Sequence, residues 1–192
     1  MSQETRWHGE PRQQTVIVGV DGSPSADQAV LWAADEARSH HRVLTLVHAR
    51  KQLSLNQQAW LTSSGVPLQE ITDQIRADAE QVLERARGLA ADRIVDTEVE
   101  TMVRVGDPRT VLLELSEKAP MVVVGSRGHG RVVGLLLGSI SGALIRHAHG
   151  PIAVVRPAGD GCRGVLVGAD GSEASLRPSR PRTTRRPLGA FP

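Results

Sequence analysis

The sequence predicts an α/β fold with a parallel β-sheet and helices on both of its faces. Short apolar runs, typical of strands that are buried on both sides, occur at residues 16–20, 121–124 and 152–155. Segments with the apolar spacing of helices separate these runs along the chain. Glycines cluster directly after residues 121–124, where sheets of this kind bind ligands. Strands that alternate with helices predict right-handed connections between parallel strands.

The first half of the chain contains two predicted strands and two predicted helices. Residues 1–13 are predicted to be a disordered N-terminus. The first strand, residues 16–20, ends in the turn Asp21-Gly22-Ser23, and either Ser23 or Ser25 caps a helix over residues 26–38. Residues 43–47 form the second strand, residues 50–67 a mobile loop or short helix near the ligand site, and residues 68–91 the second helix.

The second half supplies the rest of the sheet. Residues 97–105 alternate between apolar and polar side chains and predict a third strand, at an edge of the sheet. Gly106-Asp107-Pro108 begins a helix over residues 109–118, and residues 121–124 are the fourth strand. A fourth helix starts at Gly138-Ser139 and ends near Ala148, before the fifth strand at residues 152–155. These elements form one domain over residues 14–157.

The end of the chain repeats its beginning. Residues 165–172 (VLVGADGS) match residues 16–23 (VIVGVDGS) at six of eight positions. Prolines then interrupt the sequence, so no helix follows the repeated strand. We therefore predict a linker at residues 158–163, the first strand of a truncated second domain at 164–176, and a disordered basic tail at 177–192.

Composition excludes several classes of function. The net charge is +2, but arginines of the basic tail carry the positive balance, so the charge does not indicate nucleic-acid binding. One Phe, three Trp and no Tyr also argue against a stacking platform for single-stranded nucleic acid. A single cysteine excludes an internal disulfide and a cysteine-rich metal site. The sequence has neither a membrane-spanning apolar run nor a signal peptide, which predicts a cytoplasmic protein.

The glycine-rich segment after the fourth strand has the chemistry of a phosphate-binding site. Gly125 and Gly128 follow that strand, and Gly138-Ser139 opens the next helix. Backbone N–H groups of a glycine-rich turn and of a helix N-terminus have no partners within their own segment, and the helix dipole adds positive charge there. Ser139 can cap its helix and also bond a phosphate oxygen, while Arg127 and Arg131 supply mobile cations.

The spacing of these glycines is also specific. Gly125, two residues, Gly128, nine residues and Gly138-Ser139 resemble the nucleotide-binding signature of the universal stress protein family, in its ATP-binding branch. The opening VIVGVDGS and the closing HGPIAVVRP resemble that family as well. The resemblance implies a Rossmann-like sheet of five parallel strands in the order 3-2-1-4-5. That order brings Asp21 and Gly125 to face each other across a crevice.

The resemblance also assigns roles to residues. It implies that Asp21 lies near the ribose and phosphates, that Gly19 allows close approach, and that the backbone near Val47 meets the adenine. Phosphate-binding roles fall on Gly125, Ser126, Arg127, Gly128, His129, Gly130, Arg131, Gly138, Ser139 and Ile140. The implied ligand is ATP, with Mg²⁺ as a candidate counter-ion. The implied function is a regulatory module in the stress response with little or no catalysis, which dimerises through residues 152–155.

Three alternatives stay open at this stage. Asp21 can be a helix cap instead of a ligand contact, and the fold can be a scaffold without nucleotide. An enzyme that uses a dinucleotide or a flavin is the third, because Gly128-x-Gly130 begins such a fingerprint, although Val133 replaces its third glycine. No P-loop, nucleophile elbow or HExxH motif occurs in the sequence. A Gly125→Ala substitution is expected to crowd the phosphates without disturbing the core.

Overall fold

The fold is that of a computed structural model, which describes residues 14–94, 96–128 and 137–156. All of these residues belong to the first of the two units into which the chain divides, Met1–Pro157. The predicted N-terminal segment, linker, remnant strand and basic tail lie outside the described residues. Among the helices of the described part, none combines the length and apolar character that crossing a membrane requires.

Within the described residues, strands alternate with helices as predicted, and every strand pairs in parallel with its neighbours. The sheet has five strands in the order β3-β2-β1-β4-β5, which confirms the predicted fold class and strand order. The elements are β1 (Thr15–Gly19), α1 (Pro24–Ser39), β2 (Val43–Arg50), α2 (Leu55–Ser63), α3 (Leu68–Ala91), β3 (Val99–Val105), α4 (Pro108–Ser116), β4 (Met121–Gly125), α5 (Ser139–His147) and β5 (Ile152–Val155).

Alternate residues of the central strands build two cores, one on each face of the sheet. On one face, Val16, Val18 and Leu46 pack with buried residues of α1 and α3. On the other face, Ile17 and Val47 pack with buried residues of α4 and α5. Because successive side chains of a strand point to opposite faces, each apolar run can fill both cores.

The start of α1 settles one of the open alternatives. Ser23 is the N-cap, since its Oγ accepts a hydrogen bond from the Ala26 N–H at 3.2 Å, and Ser25 is not. Gly22 precedes the cap with a φ of 82°, a conformation that glycine adopts without steric cost. The buried face of α1 consists mostly of alanines, so the helix can pack close to the sheet.

The segment between β2 and α3 differs most from the prediction. β2 continues to Arg50, beyond the predicted end at residue 47, because its last residues pair with β3. Residues 50–67 contain the short helix of the two predicted alternatives, α2, which begins with a capping box between Ser54 and Gln57. No residue of α2 is buried, and Trp60 is 66% exposed. α2 supplies no residue to the crevice described below.

Candidate functional site

A crevice lies where β1, β2 and β4 end, at the carboxyl edge of the sheet, with the N-termini of α1 and α5 beside it. It encloses about 200 Å³. A switch in strand order makes room for a ligand at such a place, because the connections from β1 and β4 leave toward opposite faces. The described residues that line it are Gly19, Val20, Asp21, Ala26, Val47, Ala49, Pro108, Leu112, Val124, Gly125, Arg127, Gly128, Ser139, Ile140 and Ser141.

Most of the predicted site residues are among those that line the crevice. The structure brings together Gly19, Asp21, Val47, Gly125, Arg127, Gly128, Ser139 and Ile140. Ser126 and Gly138 do not line it and instead support its wall. His129, Gly130 and Arg131 lie outside the described residues. The residues of the crevice come from segments of the chain that extend from Gly19 to Ser141, 122 positions apart.

Asp21 is held at the edge of the crevice beside the glycine segment. Its Oδ1 accepts a hydrogen bond from the Ser23 N–H at 3.0 Å. A Cβ placed on Gly128 would lie 2.5 Å from Asp21 Oδ2, so only a glycine leaves room for the carboxylate where it stands. The alternative in which Asp21 caps α1 is wrong, because Ser23 fills that position.

Gly125 and the residues after it pack against the first turn of α1. A Cβ on Gly125 would lie 2.6 Å from both the carbonyl carbon and the carbonyl oxygen of Ser25. Ser25 Oγ accepts a hydrogen bond from the Arg127 N–H at 3.3 Å and lies 3.5 Å from Ser126 Oγ. The expectation that Gly125→Ala leaves the core undisturbed is therefore wrong, since the added methyl group would meet backbone atoms of α1.

Ser126 is buried, and hydrogen bonds of its backbone hold both ends of the glycine-rich segment in place. Its N–H donates to the Val155 carbonyl at 2.8 Å, across to β5. Its carbonyl accepts from the Gly138 N–H at 2.8 Å and from Ser141 Oγ at 3.2 Å. These bonds place the N-terminus of α5 beside the end of β4, so Ser126 contributes to the position of the wall.

The N-terminus of α5 faces the crevice without a capping side chain. Gly138 is the N-cap residue, which corrects the expectation that Ser139 caps this helix. Ser139 and Ile140 are the first two residues of α5 and line the crevice. The first N–H groups of a helix have no partner within it, and the helix dipole gives this end a partial positive charge. An anionic group in the crevice would therefore find hydrogen-bond donors here.

The opposite side of the crevice is apolar, and the sequence predicted Gly19 and Val47 there but not its other residues. Val47 and Ala49 come from β2, and Pro108 and Leu112 from α4. Gly19 allows Leu112 to pack closely against β1, since a Cβ on Gly19 would lie 3.0 Å from Leu112 Cδ1. The strand order is the signal that could have indicated this apolar wall, because α4 lies on the same face of the sheet as Val47. Such a wall suits a flat aromatic ring.

Charge is sparse among the described residues that line the crevice. Asp21 and Arg127 are the charged ones. The described part of the chain also contains no group of three or more His, Cys, Asp or Glu side chains placed to hold a metal ion. To a ligand, this part of the crevice offers an apolar slot, a carboxylate acceptor, one guanidinium and the N–H groups at the start of α5.

Comparison with known sequences identifies related proteins. The sequence profile of the universal stress protein family matches residues 13–156. Universal stress protein Rv1996 of Mycobacterium tuberculosis H37Rv is 36% identical over 179 residues, which cover 85% of this chain and 56% of the relative. The chain thus spans little more than half the length of the curated relatives it matches.

Comparison with solved structures also finds universal stress proteins. A universal stress protein in complex with cAMP is 28% identical and has a TM-score of 0.55, with 74% of this chain and 96% of the other covered. Universal stress protein UspA from Lactobacillus plantarum has a TM-score of 0.64 at 21% identity, covering 77% of this chain and 100% of its own. At that lower identity the similarity concerns the fold.

Proposed function

Because this chain belongs to the universal stress protein family, we propose that its crevice binds an adenine nucleotide. The observation that carries the proposal is the meeting of an apolar slot, a carboxylate and a helix N-terminus without a capping side chain in one crevice. These three features match the three parts of a nucleotide. The related protein that was solved with cAMP, at 28% identity, supports the choice of adenine.

Each part of the nucleotide has a place in this proposal. The base lies between Val47 and Ala49 on one side and Leu112 on the other. The ribose hydroxyls donate hydrogen bonds to the Asp21 carboxylate. The phosphate accepts hydrogen bonds from the N–H groups at the start of α5, with Ser139 and Ile140 nearest and Arg127 as the counter-charge.

Adenine nucleotides differ in the number of phosphates that the crevice would have to hold. The sequence predicted ATP with Mg²⁺, whereas the related structure holds cAMP, which has a single phosphate. We keep ATP as the proposed ligand, with Mg²⁺ carried by its phosphates, since the described residues include no acidic cluster for the metal. A monophosphate is the competing candidate, because Arg127 is the one cation among the described lining residues.

We expect the purified protein to release adenine nucleotide when it is denatured, or to bind one in the micromolar range, about −8 kcal/mol. Isothermal titration with ATP plus Mg²⁺, ATP alone, AMP and cAMP ranks the candidates, and GTP is the control for the base. A folded protein that binds none of them would contradict the proposal. It would favour the alternative of a scaffold without nucleotide.

The proposed role is regulatory, in a response to stress, with little or no turnover of the bound nucleotide. The described lining residues include one carboxylate and no cysteine, histidine or lysine, so general acid–base or nucleophilic catalysis has few candidates there. Binding and release of the nucleotide would then be the signal. A dinucleotide or flavin found after denaturation would favour the enzyme alternative instead.

We also propose that two copies pair through β5. In the described sheet β5 bonds to β4 on one side only, and its residues 152–155 are only partly buried. A strand with an open edge can extend the sheet into a second copy. Sedimentation at micromolar concentration is expected to show a dimer, and a single monomeric species would contradict this part of the proposal.

A further inference from the structure

His48 lies on β2 between two residues that line the crevice, Val47 and Ala49, and is not itself part of the lining. Its ring nitrogen Nδ1 lies 2.9 Å from the carbonyl oxygen of Val20. A carbonyl oxygen can only accept a hydrogen bond, so Nδ1 carries the hydrogen. The half-buried imidazole therefore donates to the backbone just before Asp21.

Val20 stands at the point where β1 has ended and the turn begins. β1 ends at Gly19, and the Val20 N–H donates to the Val47 carbonyl at 2.9 Å. With the bond from His48, both backbone polar groups of Val20 are bonded to adjacent residues of β2. The Val20 carbonyl belongs to the peptide group that joins Val20 to Asp21. The hydrogen bond from the imidazole therefore restrains the orientation of the peptide group that precedes Asp21.

We propose that His48 is a positioning residue for nucleotide binding, acting through Asp21; this inference rests on the proposed function. Two of the hydrogen bonds around Asp21 carry this role: His48 Nδ1 donates to the preceding carbonyl, and the Ser23 N–H donates to Oδ1. Together they keep the carboxylate beside Gly128, where a ribose would meet it. Without the imidazole, the peptide group can rotate, and the carboxylate becomes less ordered.

Three substitutions of His48 separate this role from simple packing. Leucine has a similar size and no donor. The amide nitrogen of asparagine is bonded to Cγ, as Nδ1 is, whereas that of glutamine lies one bond farther out. We expect His48→Leu and His48→Gln to bind nucleotide about three- to tenfold more weakly, which is the effect of losing one neutral hydrogen bond. His48→Asn is expected to retain most of the wild-type affinity.

The test is calorimetric titration with whichever adenine nucleotide the wild-type chain binds, together with thermal unfolding of each variant. A His48→Leu variant that binds as tightly as wild type would overturn the inference. If this variant does not fold, the asparagine and glutamine variants decide, and equal affinities for those two would overturn it. Failure of the wild-type chain to bind any adenine nucleotide would instead overturn the proposed function, and this inference with it.

A double-substitution cycle tests the route through Asp21. In a chain that already carries Asp21→Asn, we expect His48→Leu to cause little further loss of affinity, because the carboxylate it positions is gone. The same loss in both backgrounds would show that His48 acts independently of Asp21 and would overturn the assigned route. Nitrogen chemical shifts of the imidazole supply a separate check, since the neutral ring is expected to carry its hydrogen on Nδ1.

Discussion

Asp21→Asn is expected to weaken adenine-nucleotide binding about ten- to hundredfold while the fold stays intact. A hydrogen bond to a charged acceptor contributes about 1.5–3 kcal/mol, and the ribose hydroxyls would lose such an acceptor. The asparagine oxygen can still accept the bond that the Ser23 N–H donates to Oδ1 at 3.0 Å. The loss therefore concerns the ligand more than the turn. Calorimetric titration measures it.

Asp107 offers a matched control for this substitution. Its Oδ1 accepts a hydrogen bond from the Arg109 N–H at 3.0 Å, the same local arrangement as between Asp21 and Ser23. Asp107 does not line the crevice. We expect Asp107→Asn to bind nucleotide as the wild-type chain does. Equal losses in the two variants, or unchanged affinity in Asp21→Asn, would be incompatible with a ribose contact at Asp21.

Gly125→Ala is expected to lower the free energy of unfolding by about 1–3 kcal/mol, the usual range for overpacking a tight interior. The added methyl group would lie 2.6 Å from backbone atoms of Ser25, which a change of side-chain rotamer cannot relieve. Either β4 or the first turn of α1 has to move. Because Ala26 of that turn lines the crevice, nucleotide affinity is expected to fall as well. Urea denaturation measures the stability.

Gly88→Ala is the control for Gly125→Ala. Gly88 lies in α3, is exposed, and has no heavy atom within 4 Å of the position that a Cβ would take. Alanine in a helix interior is favoured over glycine by about 0.5–1 kcal/mol, so this variant is expected to be slightly more stable than wild type. If Gly125→Ala retained wild-type stability, the packing of Gly125 on Ser25 would not be as close as described.

The sequence predicted the fold well because its signals are local. Apolar runs of four or five residues identify strands that are buried on both faces, and the helical spacing in residues 26–38 and 68–91 identifies helices. Boundaries were less accurate where pairing with a neighbour decides them. β2 reaches Arg50 because that residue pairs with Val105 of β3, and its own side chain gives no sign of this.

The candidate site was predicted only where its sequence signals are local. The spacing of Gly125, Gly128 and Gly138 is a local pattern and located one wall of the crevice. The requirement for glycine at position 125, in contrast, comes from Ser25, a hundred residues earlier in the chain. Pro108, Leu112 and the imidazole of His48 take their places through tertiary packing. A sequence pattern cannot express such contacts until the strand order is known.

The two hydrogen bonds at the Ser126 carbonyl have a consequence for how this site can change over evolution. They bring the start and the end of residues 127–137 together independently of what lies between. Once the ends of a segment are joined, doubling its length costs only about 0.6 kcal/mol in chain entropy. Changes in the length of this segment are therefore expected to cost the domain little chain entropy. Under the proposed function, we expect that exchanging this one segment changes the phosphate preference while the rest of the domain keeps its sequence.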